Sequence, residues 1–311
     1  YQRRVRGMKT LYSKCCVLSK TFYTSLITYM MFIISCSLTT FILYTIGIKQ
    51  FPVVVCILIA LAVINIIFYQ ITLLTDPGIM PSNKRPEYFT PLYVENLKFL
   101  SRNFKYLNQC QTCQLDKPPG CSHCAKCDHC IVYSDHHCPW IGCCIGIRNY
   151  LYFMITITIS LIYCLYLFAI CISIIVKICI TSKPPIIFNE KIIPITLSAL
   201  FLLIAAYLIS FCIFVLIRHI NLINKNQTTR ADIFGNGNIN NKMKITFEQG
   251  DFKSLLDMQQ NLTGEVGKIV QLNLKPGLKR MIYGRKMPIL RNMNANQAED
   301  IAWEWTLAFY K

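Results

Sequence analysis

Charged residues are scarce in this sequence, and acidic residues are the scarcest. Asp, Glu, Lys and Arg make up 15% of the 311 residues, with 15 acidic residues against 32 basic ones. A soluble domain carries about 25% charged residues, so this composition argues against an ordinary soluble protein and favours a lipid-facing surface. The sequence also begins with Tyr1 rather than Met, as a fragment of a longer chain would.

Charge is almost absent from four long apolar stretches. Each is long enough for a transmembrane helix, which needs about 20 residues, and we predict spans at residues 26–48, 51–74, 150–176 and 192–217. A buried helix of a soluble core is the alternative for any single stretch, but four in one chain argue against it. A transporter or channel is disfavoured, because its spans would carry ionisable residues near the membrane midplane.

The basic residues predict the orientation of these spans. Six precede the first span, eight lie in the loop 75–149 and fourteen lie from residue 218 onward, whereas the two other loops hold one and two. Basic residues stay on the cytosolic side, so we expect both termini and the loop 75–149 in the cytosol. The net charge of +17 then reflects topology and attraction to anionic membrane lipid, and we expect no nucleic-acid partner.

The expected fold class is an α-helical integral membrane protein with four transmembrane helices and a cytosolic cysteine-rich loop between helices two and three. The predicted parts are an N-terminal segment (1–25), a transmembrane hairpin (26–74), the cysteine-rich loop (75–149), two further spans (150–217) and a C-terminal tail (218–311). In the tail we expect one or two short helices. The aromatic end of the tail, residues 302–310, is expected either in the membrane interface or packed on protein.

Cysteine and histidine are concentrated in one short window. Nine of the 17 cysteines and four of the five histidines lie between residues 110 and 144. Zinc binds thiolate and imidazole, whereas a disulfide scaffold has no reason to gather histidines, so we predict metal sites in a reducing compartment. Three Cys-x2-Cys pairs, at 110/113, 124/127 and 127/130, support this prediction. The segment is poor in core-forming residues, and we expect irregular loops with short hairpins that need metal to fold.

The window contains more candidate metal ligands than two zinc sites need. Two closed tetrahedral sites use eight ligands, and the window offers thirteen cysteines and histidines. A free cysteine beside histidine and aspartate is a candidate nucleophile, and Cys138 has this setting. A neighbouring imidazole could take the thiol proton while Asp135 holds that imidazole. The residues alone leave open the alternative that Asp135, His136 and Cys138 are only ligands and turn residues.

Residues 110–153 closely resemble the Asp-His-His-Cys (DHHC) protein S-acyltransferases, the palmitoyltransferase family. The resemblance rests on the spacing Cys-x2-Cys-x3-Lys-Pro, then His-Cys-x2-Cys-x2-Cys, then Asp-His-His-Cys-Pro-Trp at 135–140. The four-span layout and Asp76-Pro77-Gly78 after the second span are similar as well. The resemblance implies two structural zinc ions with two ligand sets: Cys110, Cys113, His123 and Cys130, and Cys124, Cys127, His137 and Cys144.

The resemblance also implies the reaction and its residues. Cys138 would take a long-chain acyl group, such as palmitoyl, from acyl-coenzyme A and pass it to cysteines of membrane or peripheral proteins. His136 would act as general base and Asp135 would orient it. The membrane would be an endomembrane of the Golgi or endoplasmic reticulum, or the plasma membrane.

Three further residues are candidates for contact with acyl-coenzyme A. Lys117 could contact its phosphates, with a solvated lysine as the alternative. Trp140 could line the mouth of an acyl cavity, with an interfacial anchor as the alternative. Tyr163 lies roughly 20 Å into the third span and could end the cavity, with simple packing between helices as the alternative.

Three positions depart from the family pattern. Gly120 stands where Arg is usual, Cys143 where Asn is usual, and Ala231 where Glu is usual in a Thr-Thr-x-Glu motif. Gly120 weakens the expectation of contacts to the coenzyme A phosphates. Cys143 places an additional thiol near zinc, and Ala231 weakens the expected docking of the tail. They leave open a second function, a zinc-stabilised membrane scaffold of the same fold that transfers no acyl group.

Overall fold

The computed structural model describes residues 8–9, 18–19, 23–46, 51–81, 108–110, 112–118, 120–181, 188–233 and 264–309. The parts of the predicted segments 1–25, 75–149 and 218–311 that fall in the gaps lie outside the described residues. The chain divides into two compact units. The first comprises Tyr1–Phe22, Leu73–Leu151 and His219–Lys311, and the second comprises Tyr23–Thr72 and Tyr152–Arg218.

The second unit consists of the greater part of four apolar helices. They are α1 (Tyr23–Ile46), α2 (Phe51–Leu74), α3 (Tyr150–Thr181) and α4 (Phe188–Asn224). Among the described residues, three helices are long and apolar enough to cross a membrane, at Pro52–Leu74, Tyr150–Ile180 and Ile192–Asn224, and Leu26–Ile42 is a shorter apolar helix. Three of the four predicted spans are therefore confirmed as candidate membrane helices, and the first remains a prediction.

Polar side chains inside the second unit pair with one another. Asn65 Nδ2 donates a hydrogen bond to Ser160 Oγ at 2.8 Å, and the hydroxyl oxygens of Thr72 and Thr156 are 2.9 Å apart. Such pairs satisfy polar groups where the surroundings are apolar. Large apolar side chains such as Leu203 face outward, as expected of helices that contact lipid.

Short antiparallel hairpins make up the cysteine-rich part of the first unit. One strand pair, β1 (Met8–Lys9) with β2 (Leu18–Ser19), precedes α1. The hairpins of the cysteine-rich part are β3 (Asn108–Cys110) with β4 (Leu115–Lys117), β5 (Ser122–Cys124) with β6 (His129–Ile131), and β7 (His136–Cys138) with β8 (Cys143–Ile145). The prediction of short hairpins in this segment is confirmed.

The last three hairpins are copies of one unit. Their first strands start at residues 108, 122 and 136, and their second strands at 115, 129 and 143, a spacing of 14 residues in both series. In each, the last residue of the first strand accepts a backbone hydrogen bond from the residue four positions on, at 2.6, 2.7 and 2.9 Å. That donor residue, Gln114, Asp128 or Gly142, has a positive φ. The segment is therefore a threefold structural repeat.

Asp76-Pro77-Gly78 is tied to the second and third repeats. Asp76 Oδ1 accepts hydrogen bonds from the backbone N–H groups of Gly78 at 2.7 Å and Ile79 at 3.0 Å. Gly78, with φ +100°, in turn accepts a hydrogen bond from the backbone of Val132 at 2.9 Å. Arg291 Nε lies 3.1 Å from Asp76 Oδ2, so the carboxylate also pairs with the tail.

The tail is more helical than expected. It contains α5 (Thr229–Ile233), α6 (Gly264–Gln271), α7 (Pro276–Tyr283) and α8 (Ala295–Ala308), with 3-10 turns at Gly284–Lys286 and Leu290–Asn292. The expectation of one or two helices was too low, because the cysteine-rich hairpins give the tail an apolar surface to pack on. Trp305 and Phe309 are buried in one cluster with Tyr133, so the aromatic end packs on protein.

Candidate active site and metal centres

The first predicted ligand set converges on one point. Cys110 and Cys113 come from the first repeat, and His123 and Cys130 come from the two strands of the second repeat. The three sulfur atoms lie 3.6, 3.4 and 3.9 Å from His123 Nδ1. The four ligand atoms are mutually close enough to hold a metal ion.

The second predicted set repeats this arrangement one repeat later. Cys124 and Cys127 come from the second repeat, and His137 and Cys144 come from the third. Their sulfur atoms lie 3.9, 3.3 and 3.6 Å from His137 Nδ1. Each metal site therefore joins two successive hairpins.

Both sets fit a tetrahedral zinc ion. Zinc–sulfur and zinc–nitrogen bonds of about 2.3 and 2.0 Å at tetrahedral angles place sulfur and nitrogen roughly 3.6 Å apart, close to the separations above. Each set has three thiols and one imidazole and no fifth donor among its members. Zinc bound there would be closed to substrate and would link the hairpins.

The two adjacent histidines of the third repeat face opposite ways. Side chains alternate across a β-strand, so His137 points to the metal side of β7 while His136 and Cys138 share the other side. Pairing of His137 with Cys144 across the hairpin brings both ligands to one face. Pairing of Cys138 with Cys143 places the unliganded thiols on the opposite face.

Asp135, His136 and Cys138 form a connected chain of contacts. Asp135 Oδ2 lies 2.7 Å from His136 Nδ1, and the side chains of His136 and Cys138 are close enough to interact. Burial would lower the pKa of His136, but the hydrogen bonds with Asp135 and Cys138 raise it to about 10. Burial would raise the pKa of Asp135, but His136 lowers it to about 2. These opposite pKa shifts favour an aspartate paired with a proton-carrying imidazole at neutral pH.

The tail holds the Asp135 carboxylate in place. The backbone N–H of Thr229 donates to Asp135 Oδ1 at 2.9 Å, and its hydroxyl donates to Oδ2 at 2.7 Å. The N–H of Arg230 donates to the backbone oxygen of Asp135 at 3.1 Å. Within helix α5, the N–H of Ala231 donates to Thr228 Oγ1 at 3.2 Å. The tail thus contacts Asp135 through Thr229 and Arg230, although this chain has Ala231 where Glu is expected.

The candidates for acyl-coenzyme A contact lie in different elements of the structure. Lys117 ends β4 and belongs to the first hairpin, whereas Trp140 is exposed in the turn that follows Cys138. Tyr163 is buried in the second unit, where its hydroxyl lies 2.6 Å from Ser35 Oγ and its ring packs edge-on against Phe32. The structure brings Asp135, His136 and Cys138 together, and it does not place Lys117 in their hairpin.

His219 and Tyr150 are site residues that the sequence did not indicate. His219 is buried, and its Nδ1 lies 2.8 Å from the Tyr150 hydroxyl. Its ring centroid is 6.0 Å from that of His136. Because His219 is 83 positions after His136, and no motif includes it, only the three-dimensional structure could reveal the contact.

Several known proteins are similar to this chain in sequence. Residues 103–235 match the model of the DHHC palmitoyltransferase family. Protein S-acyltransferase 8 of Arabidopsis thaliana is 37% identical over 136 residues, covering 37% of this chain and 32% of its own length. Probable protein S-acyltransferase 7 of the same plant is 30% identical over 268 residues, covering 74% and 60%. Human palmitoyltransferase ZDHHC9 is 32% identical over 184 residues, covering 59% and 48%.

The chain thus spans less than two thirds of the length of each of these relatives. The matched family segment nevertheless contains both metal-ligand sets, the contact chain from Asp135 to Cys138, and the tail residues that hold Asp135. On this agreement of motif, geometry and relatives, residues 103–235 form a domain of the DHHC palmitoyltransferase family.

Proposed function

We propose that this protein is a protein S-acyltransferase that carries a long-chain acyl group on Cys138. The observation that supports this most directly is the position of His136. Its Nδ1 lies 2.7 Å from Asp135 Oδ2 and its side chain shares one side of β7 with Cys138, while both metal sets are complete without any of the three. A thiol beside an oriented imidazole is the arrangement of a nucleophilic cysteine.

In the first step the sulfur of Cys138, its proton held by His136, bonds to the carbonyl carbon of an acyl-coenzyme A. The bond between that carbon and the coenzyme A sulfur breaks, and the departing thiolate takes the proton from His136. The products are free coenzyme A and a thioester on Cys138. Asp135 keeps the ring of His136 aligned throughout, because it binds Nδ1 and leaves the other nitrogen for the sulfur atoms.

In the second step a cysteine of the substrate protein gives its proton to His136 and its sulfur bonds to the same carbonyl carbon. Cys138 leaves as a thiolate beside the protonated imidazole, and the starting state is restored. Each step exchanges one thioester for another, so the overall free-energy change is small. Rate enhancement must therefore come from proton transfer and from alignment of the reacting atoms.

The two ligand sets would hold zinc in a purely structural role. Three thiolates and one imidazole saturate each ion, and the bound metal would fix the hairpin that carries His136 and Cys138. Elemental analysis of purified protein should give two zinc ions per chain. Removal of zinc by a strong chelator should unfold the hairpins and abolish activity, because each ion would join two successive hairpins.

We also propose four membrane spans with the hairpins and both termini in the cytosol. The apolar stretch of α1 and the distribution of basic residues support this arrangement. In intact cells an impermeant thiol reagent supplied from the lumenal or extracellular side should not label the hairpin cysteines. Labelling from that side would contradict the orientation.

The acyl chain would enter between the helices, with Tyr163 at its end, while Lys117 and Trp140 contact other parts of acyl-coenzyme A. Tyr163→Ala should then shift preference toward longer acyl chains, measured with acyl-coenzyme A esters of several lengths. Tyr166→Ala is the matched control, because Tyr166 lies on the same helix and bonds to the backbone oxygen of Val54. An unchanged chain-length profile in the Tyr163 variant would exclude this role.

The decisive experiment for the function uses full-length protein in detergent and an alkynyl palmitoyl-coenzyme A. Wild type should acquire a label that hydroxylamine removes, and Cys138→Ser should acquire none. Cys56→Ser is the control, because this exposed thiol lies on α2. The scaffold alternative, suggested by Gly120, Cys143 and Ala231, predicts no label on wild type although both metals are bound.

A further inference from the structure

His219 is buried at a point where an apolar residue would be ordinary. It lies five residues before the end of α4, is 4% exposed, and has Leu222 and Ile223 as buried neighbours in the chain. A buried imidazole is unfavourable unless it is hydrogen-bonded. Tyr150, the first residue of α3, satisfies this requirement, since its hydroxyl lies 2.8 Å from His219 Nδ1.

The His219 ring adjoins both members of the Asp135–His136 pair. One ligand atom from each of Asp135, His136 and His219 lies within 4.8 Å of the others. The rings of His136 and His219 are 6.0 Å apart and inclined by 42°, and the rings of His219 and Tyr150 are 5.6 Å apart. His219 is thus a link between Tyr150 and the pair that serves Cys138.

Building on the proposed function, we propose that His219, held by the Tyr150 hydroxyl, is a positioning residue for the Asp135–His136 pair. The Tyr150 hydroxyl donates to His219 Nδ1, which leaves the proton of the neutral ring on Nε2 and fixes the ring plane. Asp135 secures only one atom of the His136 ring, Nδ1. The neighbouring His219 ring limits how far His136 can turn about that bond, and so keeps its second nitrogen directed at Cys138.

The position of Tyr150 makes this link rigid. Asn149 Oδ1 accepts a hydrogen bond from the backbone of Gly146 at 2.9 Å, and its Nδ2 donates to the backbone oxygen of Cys144 at 2.9 Å. The N–H of Tyr150 donates to the Gly146 oxygen at 3.1 Å. Tyr150 is therefore fixed directly to the end of β8, in the same hairpin as His136 and Cys138.

The test compares His219→Leu, His219→Gln and Tyr150→Phe in full-length protein, with the rate of Cys138 acylation measured over a range of palmitoyl-coenzyme A concentrations. His219→Leu and Tyr150→Phe should each lower the maximal rate about tenfold, as expected for loss of one hydrogen bond that aligns a reacting group. KM should not change. His219→Gln, which keeps a polar group able to bond Tyr150, should recover most of the rate. Ile220→Ala, an exposed neighbour on α4, is the control.

A second comparison separates positioning from general structural damage. In an Asp135→Asn background the pair is already misaligned, so His219→Leu should cause little further loss. An equal fold loss in both backgrounds, or a raised KM with an unchanged maximal rate, would overturn the proposal. If His219→Leu loses zinc, Tyr150→Phe decides, since it removes only one oxygen atom, and a wild-type rate in that variant would also overturn it.

Failure of this inference can be told from failure of the proposed function. If wild-type protein accepts no acyl group on Cys138, the proposed function itself fails. If wild type is acylated and both His219→Leu and Tyr150→Phe react at the wild-type rate, only the positioning role fails.

Discussion

The second and third cysteine-rich hairpins share the same backbone pattern, but we propose different roles for their corresponding cysteines. Cys124 and Cys138 occupy the same position, each at the end of a first strand, with the same backbone hydrogen bond to the residue four positions on. Three positions later the second hairpin has Cys127 and the third has Ile141, and both side chains are buried. Cys124 thus has a partner thiol three positions on for metal binding, whereas Cys138 has an isoleucine at that position.

The order of the repeats explains why Cys138 is left over. Each metal site takes two thiols from one hairpin and a histidine and a cysteine from the next. The positions 14 residues after His137 and Cys144 are Leu151 and Thr158, which lie in helix α3. Helix α3 therefore stands where a fourth hairpin would supply the histidine and cysteine of a third site. The comparison teaches that a repeated metal-binding unit yields a free thiol where the repeat ends.

The largest expected effect comes from making the second hairpin resemble the third. Cys127→Ile removes one of four ligands from a site whose metal stabilises the hairpins. Zinc content should fall from two ions per chain to one, the domain should lose its cooperative unfolding transition, and acylation should be lost. Elemental analysis and thermal unfolding check this outcome, with Cys179→Ser, an exposed thiol of α3, as the control. Retention of two zinc ions would show that Cys127 is not a ligand.

A second change separates the two faces of the third hairpin. His136→Ala should keep two zinc ions and lower the rate of Cys138 acylation roughly 10²–10⁴-fold, the usual contribution of a general acid–base group. His137→Ala, one residue away on the opposite face, should lose zinc and stability. Zinc content and single-turnover acylation distinguish the two variants. Equal zinc loss in both would mean that the faces are not divided as the alternation predicts.

A third change gives the last hairpin a thiol at position 141, which corresponds to Cys127 in the second hairpin. In Ile141→Cys, two thiols stand in the positions of Cys124 and Cys127 and should chelate a soft cation. Cadmium should then inhibit acylation at a concentration roughly 100-fold lower than in wild type, because two thiolates bind together. A chelator should restore activity. Identical cadmium sensitivity in Ile141→Cys and wild type would show that the third hairpin does not reproduce the geometry of the second.

The smallest expected effect concerns Asp135, which precedes the third hairpin at the position where Cys121 precedes the second. Thr229→Val removes the hydroxyl that donates to Asp135 Oδ2 and keeps the backbone N–H that donates to Oδ1. Loss of a hydrogen bond to a charged group, about 1.5 kcal/mol, should slow acylation about tenfold without loss of zinc. Thr229→Ser, which keeps the hydroxyl, should react near the wild-type rate. Equal rates in the Val and Ser variants would exclude a role for this hydrogen bond.

Much of this arrangement could be predicted from the sequence, because its signals are local. The Cys-x2-Cys pairs predicted metal sites and hairpins, and long apolar runs predicted three candidate membrane helices that the structure contains. Contacts between distant segments were not predictable in this way. His219, near the end of α4, lies close to His136 only in the folded chain. The contact of Thr229 with Asp135 was not predictable, because the sequence motif lacks its usual Glu.

The aromatic end of the tail shows the same limit. Trp305 and Phe309 had two equal interpretations in the sequence, because an aromatic helix suits both a membrane interface and a protein core. The cluster that they form with Tyr133 decided between them.

The central claim is that Cys138 is the one thiol of the repeat that carries an acyl group while both metals stay bound. Mass spectrometry of intact protein after exposure to palmitoyl-coenzyme A, followed by peptide mapping, tests it directly. We predict one added palmitoyl group on the peptide containing Cys138 and two retained zinc ions. An acyl group on another hairpin cysteine, or zinc bound by Cys138 itself, would contradict the account.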